Sequence, residues 1–378
     1  MKISNIIILA FSMFLTGCIT PFIPETEESQ SLIVIEGMIT DQPEVNTIKI
    51  SKSTPLGIKP KTTALGKCTV WITDDLNRRF NLKESKTGIY VTDPLTFRGV
   101  IGRKYSLHVN TNTSYINGYM FESYPMEMKP VPQIDSIYYE KVIIPQPISA
   151  AFKPEGCMIY LDTHDENGNC RFYRWDYTET WEVRIPYSLA LNRVCWITEV
   201  SNDINVKSTR GMSADLVRKF PLRLVSNVTD RLKVKYSMLL NQYSLNEREY
   251  AYWEKLKSMT QDVGSLYDVT PASIPNNLFC IQDPSVEALG FFSVSAKKSK
   301  RIFIKDQFFG QPDIYSKNNC VSDTIDGVQT KMEGLNYTVW ILEINYGPDP
   351  PPYTVTTNSK GCADCTVRGT NVKPDFWN

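Results

Sequence analysis

The chain of 378 residues holds only two histidines, His108 and His164. That scarcity removes most chemistry built on imidazole. No HExxH pair is present for a zinc hydrolase, no GxSxG elbow for an acyl transferase, and no glycine-rich phosphate loop. Charge of one sign is also lacking. Forty-one Lys+Arg stand against 41 Asp+Glu, for a formal net charge of +0, so the composition carries no electrostatic footprint for nucleic acid or an anionic lipid surface. After the first twenty residues no run is long and apolar enough to cross a bilayer. Cys362 and Cys365 form a CxxC, but no second pair completes a zinc site, and no helical pattern follows to lower a redox thiol's pKa. The carboxylates could supply a glycosidase pair, yet nothing singles one out. The expectation is a protein that is not an enzyme and takes no cofactor.

The N-terminus carries the most specific signal. Ile6 to Leu15 is an apolar stretch with a single serine, too short to span a membrane and built like the h-region of a signal peptide. It ends in Leu15-Thr16-Gly17-Cys18, which looks like a bacterial lipobox. Residues 1–17 then read as the leader, Cys18 as the lipidated residue, and 18–30 as a flexible tether. Several buried acyl chains, at about 0.8 kcal/mol per methylene, would anchor the chain firmly.

Such a chain leaves the cytoplasm for an oxidising compartment. Nine cysteines less the lipidated one leave an even set: Cys68, Cys157, Cys170, Cys195, Cys280, Cys320, Cys362 and Cys365. Their pairing cannot be read from sequence. Bridges from Cys362 and Cys365 to distant partners, Cys320 among them, would pin the C-terminus. A direct 362–365 bridge would constrain little.

The rest reads as mainly β. Stretches such as "LIVIEGMITD", "NTIKISKS", "CTVWITDD" and "KYSLHVNT" alternate and stop at Gly, Pro, Asn or Asp, which argues for an immunoglobulin-like β-sandwich over 31–130. Prolines 125, 130 and 132 interrupt pairing there and set the expected boundary. Residues 131–378 read as a larger, mostly antiparallel β domain with one amphipathic helix near 245–263. Ser244 and Glu247 suggest its capping box, Gly264 its stop. Tyr252, Leu256, Met259 and Val263 form its apolar face, with Trp253 beside them.

Taken together, Cys18 followed by "LIVIEGMITD" and "IKISKS", then "PQIDSIYYE", "RFYRWDYTETWEV", "KYSMLLNQYSLNEREYAYWEKLK", "ALGFFSVSAKKSKRIFI" and the final "GCADCTVRGTNVKPDFW", resemble a Bacteroidota lipoprotein family known as domain of unknown function 4249. Asn378 extends past the family's terminal Trp. The resemblance implies an envelope protein of the outer membrane, on either face, encoded beside TonB-dependent transporters. That setting is similar to the transporter–lipoprotein pairs that import glycans, peptides or metal complexes. It supplies no catalytic residues.

Few residues stand out as sites. His108 falls on the polar side of its strand, as a surface or edge residue would. In "DTHDENGNC", Asp162, Asp165 and Glu166, with Asn167 and Asn169, are hard oxygen donors that could hold calcium; Asn167-Gly168 equally reads as a hairpin turn. Ser136 in "DSI" and Thr324 in "DTI" resemble short O-glycosylation sequences, Thr324 being the better candidate. Tyr173, Trp175 and Tyr177 either form an exposed binding row or fill the core. The function expected is ligand capture by, or assembly with, a TonB-dependent transporter; a structural or adhesive surface lipoprotein and an envelope hydrolase are the alternatives. An exposed aromatic platform or a concave pocket would favour capture.

Overall fold

The computed structural model describes residues 32–53, 63–111, 118–144, 155–226, 229–261, 274–308, 322–328 and 339–378. Cys18, Cys320, Val263, Gly264 and the tether lie outside them. Strands dominate, as the alternating patterns predict. The first group is β1 (Ile33–Thr40), β2 (Thr47–Lys52), β3 (Thr63–Ala64), β4 (Thr69–Asp74), β5 (Arg79–Asn81), β6 (Lys83–Lys86), β7 (Ile89–Val91), β8 (Lys104–Asn110), β9 (Met120–Ser123) and β10 (Met126–Glu127). Then come β11 (Ile134–Ile143), β12 (Glu155–His164), β13 (Phe172–Arg184), β14 (Val194–Val200), β15 (Asn205–Ser208), β16 (Leu216–Val225) and β17 (Tyr236–Ser244). Helix α1 (Glu247–Gln261) leads to β18 (Leu278–Cys280), β19 (Ala288–Leu289), β20 (Phe292–Ser295) and β21 (Lys297–Ile304). The chain ends with β22 (Ser322–Asp326), β23 (Trp340–Asn345), β24 (Tyr353–Thr357) and the single turn α2 (Lys360–Ala363).

The first sandwich packs the sheet β19-β1-β2-β7-β6 on the sheet β18-β9-β8-β4-β5. Period-two alternation puts Ile33, Ile35, Ile39, Ile48 and Ile50 of one sheet against Val70, Ile72, Leu107, Val109 and Phe121 of the other. Gly37 interrupts the isoleucine register of β1 because a Cβ there would meet Ile48 Cδ1 at 2.3 Å.

The boundary expected near residue 130 does not describe this unit. Late strands return to complete it. β20 runs parallel to β1, Gly37 opposite Phe292 and Ile39 opposite Val294; β19 extends the same edge; β18 pairs with β9, Cys280 opposite Phe121. These strands are only two to four residues long and carry no local periodicity. Their place is set by pairing with strands far away in sequence.

Helix α1 forms where its periodicity predicts, with a different start. Ser244 stays on β17, donating to Lys129 O at 2.6 Å and accepting from Ala296 N at 3.2 Å. Asn246 caps instead, its Oδ1 accepting the Glu249 N–H at 3.0 Å. Tyr252, Trp253 and Leu256 pack on the first core, while Met259 is exposed. Glu249 is fully buried, and neither carboxylate oxygen has a hydrogen bond of ordinary geometry. Burial raises its pKa to about 7, with Ser293, Arg174 and Trp253 opposing the rise.

The second sandwich packs β11-β12-β16 on β14-β13-β17-β21, with β15 also on β13. Tyr173, Trp175 and Tyr177 point into its core, so that row is packing and not a binding surface. Cys157, Ile159 and Leu161 of β12 meet them from the other sheet. A three-stranded sheet, β22-β24-β23, precedes the C-terminal tail.

A disulfide from Cys365 to Cys195 on β14, 170 residues apart, fixes that tail. Cys362 is also disulfide-bonded, so the two tail cysteines are not joined to each other. Asp364 accepts from Asn192 Nδ2 at 2.9 Å, Arg368 pairs with Asp230 at 2.7 Å, and buried Trp377 donates to Glu182 Oε2 at 3.1 Å. The larger disulfide set is not realised: Cys68, Cys157, Cys170 and Cys280 are free thiols. They are divided between two cores and act as small apolar fillers. Burial pushes the thiols of Cys157 and Cys170 up to about 12, which makes them poor nucleophiles.

Two predictions follow from these contacts. Glu249 holds its proton more tightly in the folded chain, so stability falls as pH rises from about 4.5 to about 7. Urea denaturation of Glu249→Gln is expected to show a gain of about 2–4 kcal/mol at pH 8 that disappears near pH 4.5; an equal difference at both would contradict the assignment. Replacing Cys195 with Ser is expected to cost about 3–5 kcal/mol, from the unfolded-chain entropy a long closed loop removes.

Candidate functional site

The outer face of the sheet β11-β12-β16 is the place where the sequence-nominated residues meet. Because Cys157, Ile159 and Leu161 of β12 point inward, Met158, Tyr160, Asp162 and His164 must point outward. Register puts Tyr138 of β11 opposite Tyr160 and Ser136 opposite Asp162. On the other side of β12, Pro221 lies opposite Tyr160 and Leu216 opposite His164.

Tyr138 and Tyr160 are half-buried and stack, with ring centroids 5.7 Å apart and planes 28° from parallel. They form a two-ring platform. Lys219, a residue with φ of 47° at a β16 irregularity, sits over Tyr160 at 5.0 Å from the ring centre and pairs with Glu140 at 2.7 Å. Asp162 joins the platform to what lies beside it. Its Oδ1 accepts from Tyr138 OH at 3.4 Å and from the Lys219 N–H at 2.6 Å, and its Oδ2 from Ser136 Oγ at 3.1 Å.

Beside Asp162 opens a cleft of about 810 Å³, lined by Asp135, His164, Glu166, Arg171, Asp215 and Arg218 among others. Its floor is the β12–β13 turn. Asp165 Oδ1 accepts the Asn167 N–H at 3.0 Å and Oδ2 the Cys170 N–H at 2.9 Å. Gly168 has φ of 60°, and a Cβ there would meet Arg171 Nη2 at 2.7 Å. Asn167-Gly168 is therefore a turn, and Asp165 serves its backbone. Asp162 is engaged by three donors, and among the described residues no group of three His, Cys, Asp or Glu is placed to hold a metal ion.

The two histidines differ sharply. His164 is exposed, and its Nδ1 lies 2.7 Å from Asp135 Oδ2. That hydrogen bond raises its pKa, with Glu166 adding to the effect. His108 is not at the surface, as its alternation had suggested. It is buried, stacked on Trp71 with centroids 5.1 Å apart, and bonded to Thr73 Oγ1 at 2.8 Å. Arg79 covers the far face of Trp71 at 4.1 Å, and this layer seals an edge that alternation alone leaves open. Burial lowers the His108 pKa, against the pull of Glu122.

Asp215 is buried in the cleft wall. Thr209 Oγ1 donates to its Oδ1 at 2.5 Å, and burial raises its pKa, with Thr209, Tyr173 and Arg171 opposing the rise. Among the described residues Arg171 and Arg218 make no ion pair within 4 Å, although the charge of Arg171 opposes the rise of the Asp215 pKa. Sequence reasoning missed both arginines and both platform tyrosines. For Tyr138 and Tyr160 a signal existed, since both occupy the outward register of alternating strands. For the arginines none did.

The glycosylation candidates part company. Thr324 is exposed on β22, opposite Val355. The hydroxyl of Ser136 is tied to Asp162.

With only two histidines, one proton-NMR titration reads the site. One imidazole is expected to titrate above 6.5 and the other below. Asp135→Asn should bring the upper one down and leave the lower one in place. Two coincident titrations near 6.5 would contradict this electrostatic picture.

Among curated proteins, none matches the chain. Residues 19–301 match the family described as Domain of unknown function (DUF4249). The match takes in the first sandwich, the platform, the cleft and the second sandwich as far as the middle of β21, and ends before the cysteine-bearing tail. The chain therefore belongs to the DUF4249 family.

Proposed function

We propose that this protein is a non-catalytic accessory lipoprotein of the outer membrane, anchored through Cys18, that captures a ligand for a TonB-dependent transporter. The observation that carries the reading is the concave cleft of about 810 Å³ that opens beside Asp162, on the same outer face as the Tyr138–Tyr160 pair. Convergent polar groups in a concave site orient a ligand. The leader and the Leu15-Thr16-Gly17-Cys18 motif support the anchor. An anchor at Cys18 would hold the capture face near a transporter mouth, and the resulting effective concentration would reduce the need for a tight protein–protein interface.

Affinity purification of the full chain from native membranes in mild detergent is expected to recover a TonB-dependent transporter. Cys18→Ala should move the protein to the soluble fraction and abolish that recovery. Purification without any such transporter would contradict the partnership, and would leave a structural or adhesive surface role as the reading to pursue.

A further inference from the structure

Charge that balances over the whole chain is not spread evenly. One end of the first sandwich holds a second cleft, of about 690 Å³, whose lining includes Lys52, Lys67 and Lys86. The carboxylate in that lining, Glu84, serves the backbone: Oε1 accepts the Gly88 N–H at 3.0 Å and Oε2 the Lys67 N–H at 3.0 Å. Lys83 is exposed beside it on β6. Lys67 and Lys86 are exposed too, and among the described residues these three lysines form no ion pair. Lys67 has φ of 61°, where glycine is the unstrained choice, so its side chain is held there against a backbone preference.

The place of this cleft in the fold decides what its lysines meet. Leu32 N–H donates to Ser53 Oγ at 2.9 Å, and Ser53 N–H donates to Leu32 O at 2.8 Å. Register then sets Ile33 opposite Lys52, and Lys52 opposite Thr63 in the cleft wall. The chain thus enters the sandwich at the lysine end. Leu32 is fourteen residues after Cys18, and a chain of that length spans at most about 50 Å. Lys104 marks the other end, since β4 leads away from Lys67 to Asp74, which lies opposite Tyr105. Resting on the Cys18 anchor of the reading above, we infer that the lysine end docks on the membrane, and that its partner is the anionic headgroup surface around the anchor. Ammonium groups without a carboxylate gain from lipid phosphates that lie within a Debye length. Lysine, a compact point charge, suits phosphates presented in many orientations.

The test uses the protein purified from membranes and reconstituted into phosphatidylglycerol-rich vesicles, into phosphatidylcholine vesicles, or kept in neutral detergent. A water-soluble amine reagent labels the lysines, and mass spectrometry reads each one against Lys104. Labelling of Lys67 and Lys86 is expected to fall at least about threefold in the anionic vesicles alone, and to recover at about 0.5 M salt. Lys67→Gly relieves the backbone and keeps the bond to Glu84, so it should fold normally by circular dichroism and yet reduce the protection of Lys86. Lys67→Arg should retain that protection. Equal labelling in all three settings, or protection of Lys86 untouched by Lys67→Gly, would overturn the docking surface. So would equal protection in neutral vesicles. Protection that persists in detergent would place another part of the chain over the lysines, and would overturn it as well. Flotation separates the two readings. Protein that floats with the vesicles but shows no protection overturns the docking surface alone. Protein that floats with neither kind of vesicle contradicts the Cys18 anchor, and this inference with it.

Discussion

The parallel pairing of β20 with β1 is the constraint on which the rest of the molecule depends. It brings a segment from beyond residue 290 onto the first strand, Gly37 against Phe292 and Thr40 against Ser295. Neither sandwich can then be laid down as a simple consecutive block. The chain leaves the first sandwich at β10, builds most of the second, and returns through α1 and β18–β20 before closing the second with β21. Such non-local pairing is slow to form, and it ties the two units together by chain connectivity as well as by contact. Ser244 reinforces the crossing, bridging Lys129 O and the Ala296 N–H. Helix α1 lies at the same junction, its Tyr252 in the first core and its Trp253 under Arg174 of β13 at 4.1 Å.

This arrangement determines which sheet face is left open. The sheet containing β13 and β17 is partly covered on its outer side. Arg174, Tyr243 and Trp253 meet at one end, and the tail lays Trp377 against Phe303 and Phe376 against Arg301 at the other. The opposite sheet has its inner residues in the same core, but its outer residues are exposed or half-buried along β11, β12 and β16. The platform and the cleft occupy that face. The two positions are linked by Asp162, whose carboxylate holds Tyr138, Ser136 and the backbone of Lys219 together. A side-chain cluster held by such a hub is preorganised, which would favour affinity for any ligand of this face.

Much of this was legible in the residues. Alternation placed most strands, the helix appeared where an apolar face recurs at helical spacing, and Asn167-Gly168 marked its turn. The late strands were not legible, because two to four residues with a glycine between them carry no period; only their distant partners define them. His108 was misplaced for a related reason. Strand alternation says which face a side chain takes, and it says nothing of a Trp71 and Arg79 layer that covers that face. The cysteine count gave parity without geometry. An even number allowed four bridges, yet four thiols lie separately among apolar neighbours, and the tail bridge to Cys195 depends on where the last turn docks. At the site, the acidic turn residues drew notice by composition, while Arg171 and Arg218 became visible only once the strands and the turn had brought them to the same cleft.

The interlock can be tested directly by native-state hydrogen exchange on the full chain, resolved by mass spectrometry of peptides. Amides of β1, β18 and β20 should open together, as one cooperative unit with the same denaturant dependence, although about 240 residues or more separate β1 from the other two. Exchange of the 278–295 segment in step with β21 and the second sandwich, while β1 and β2 stay protected, would contradict the account.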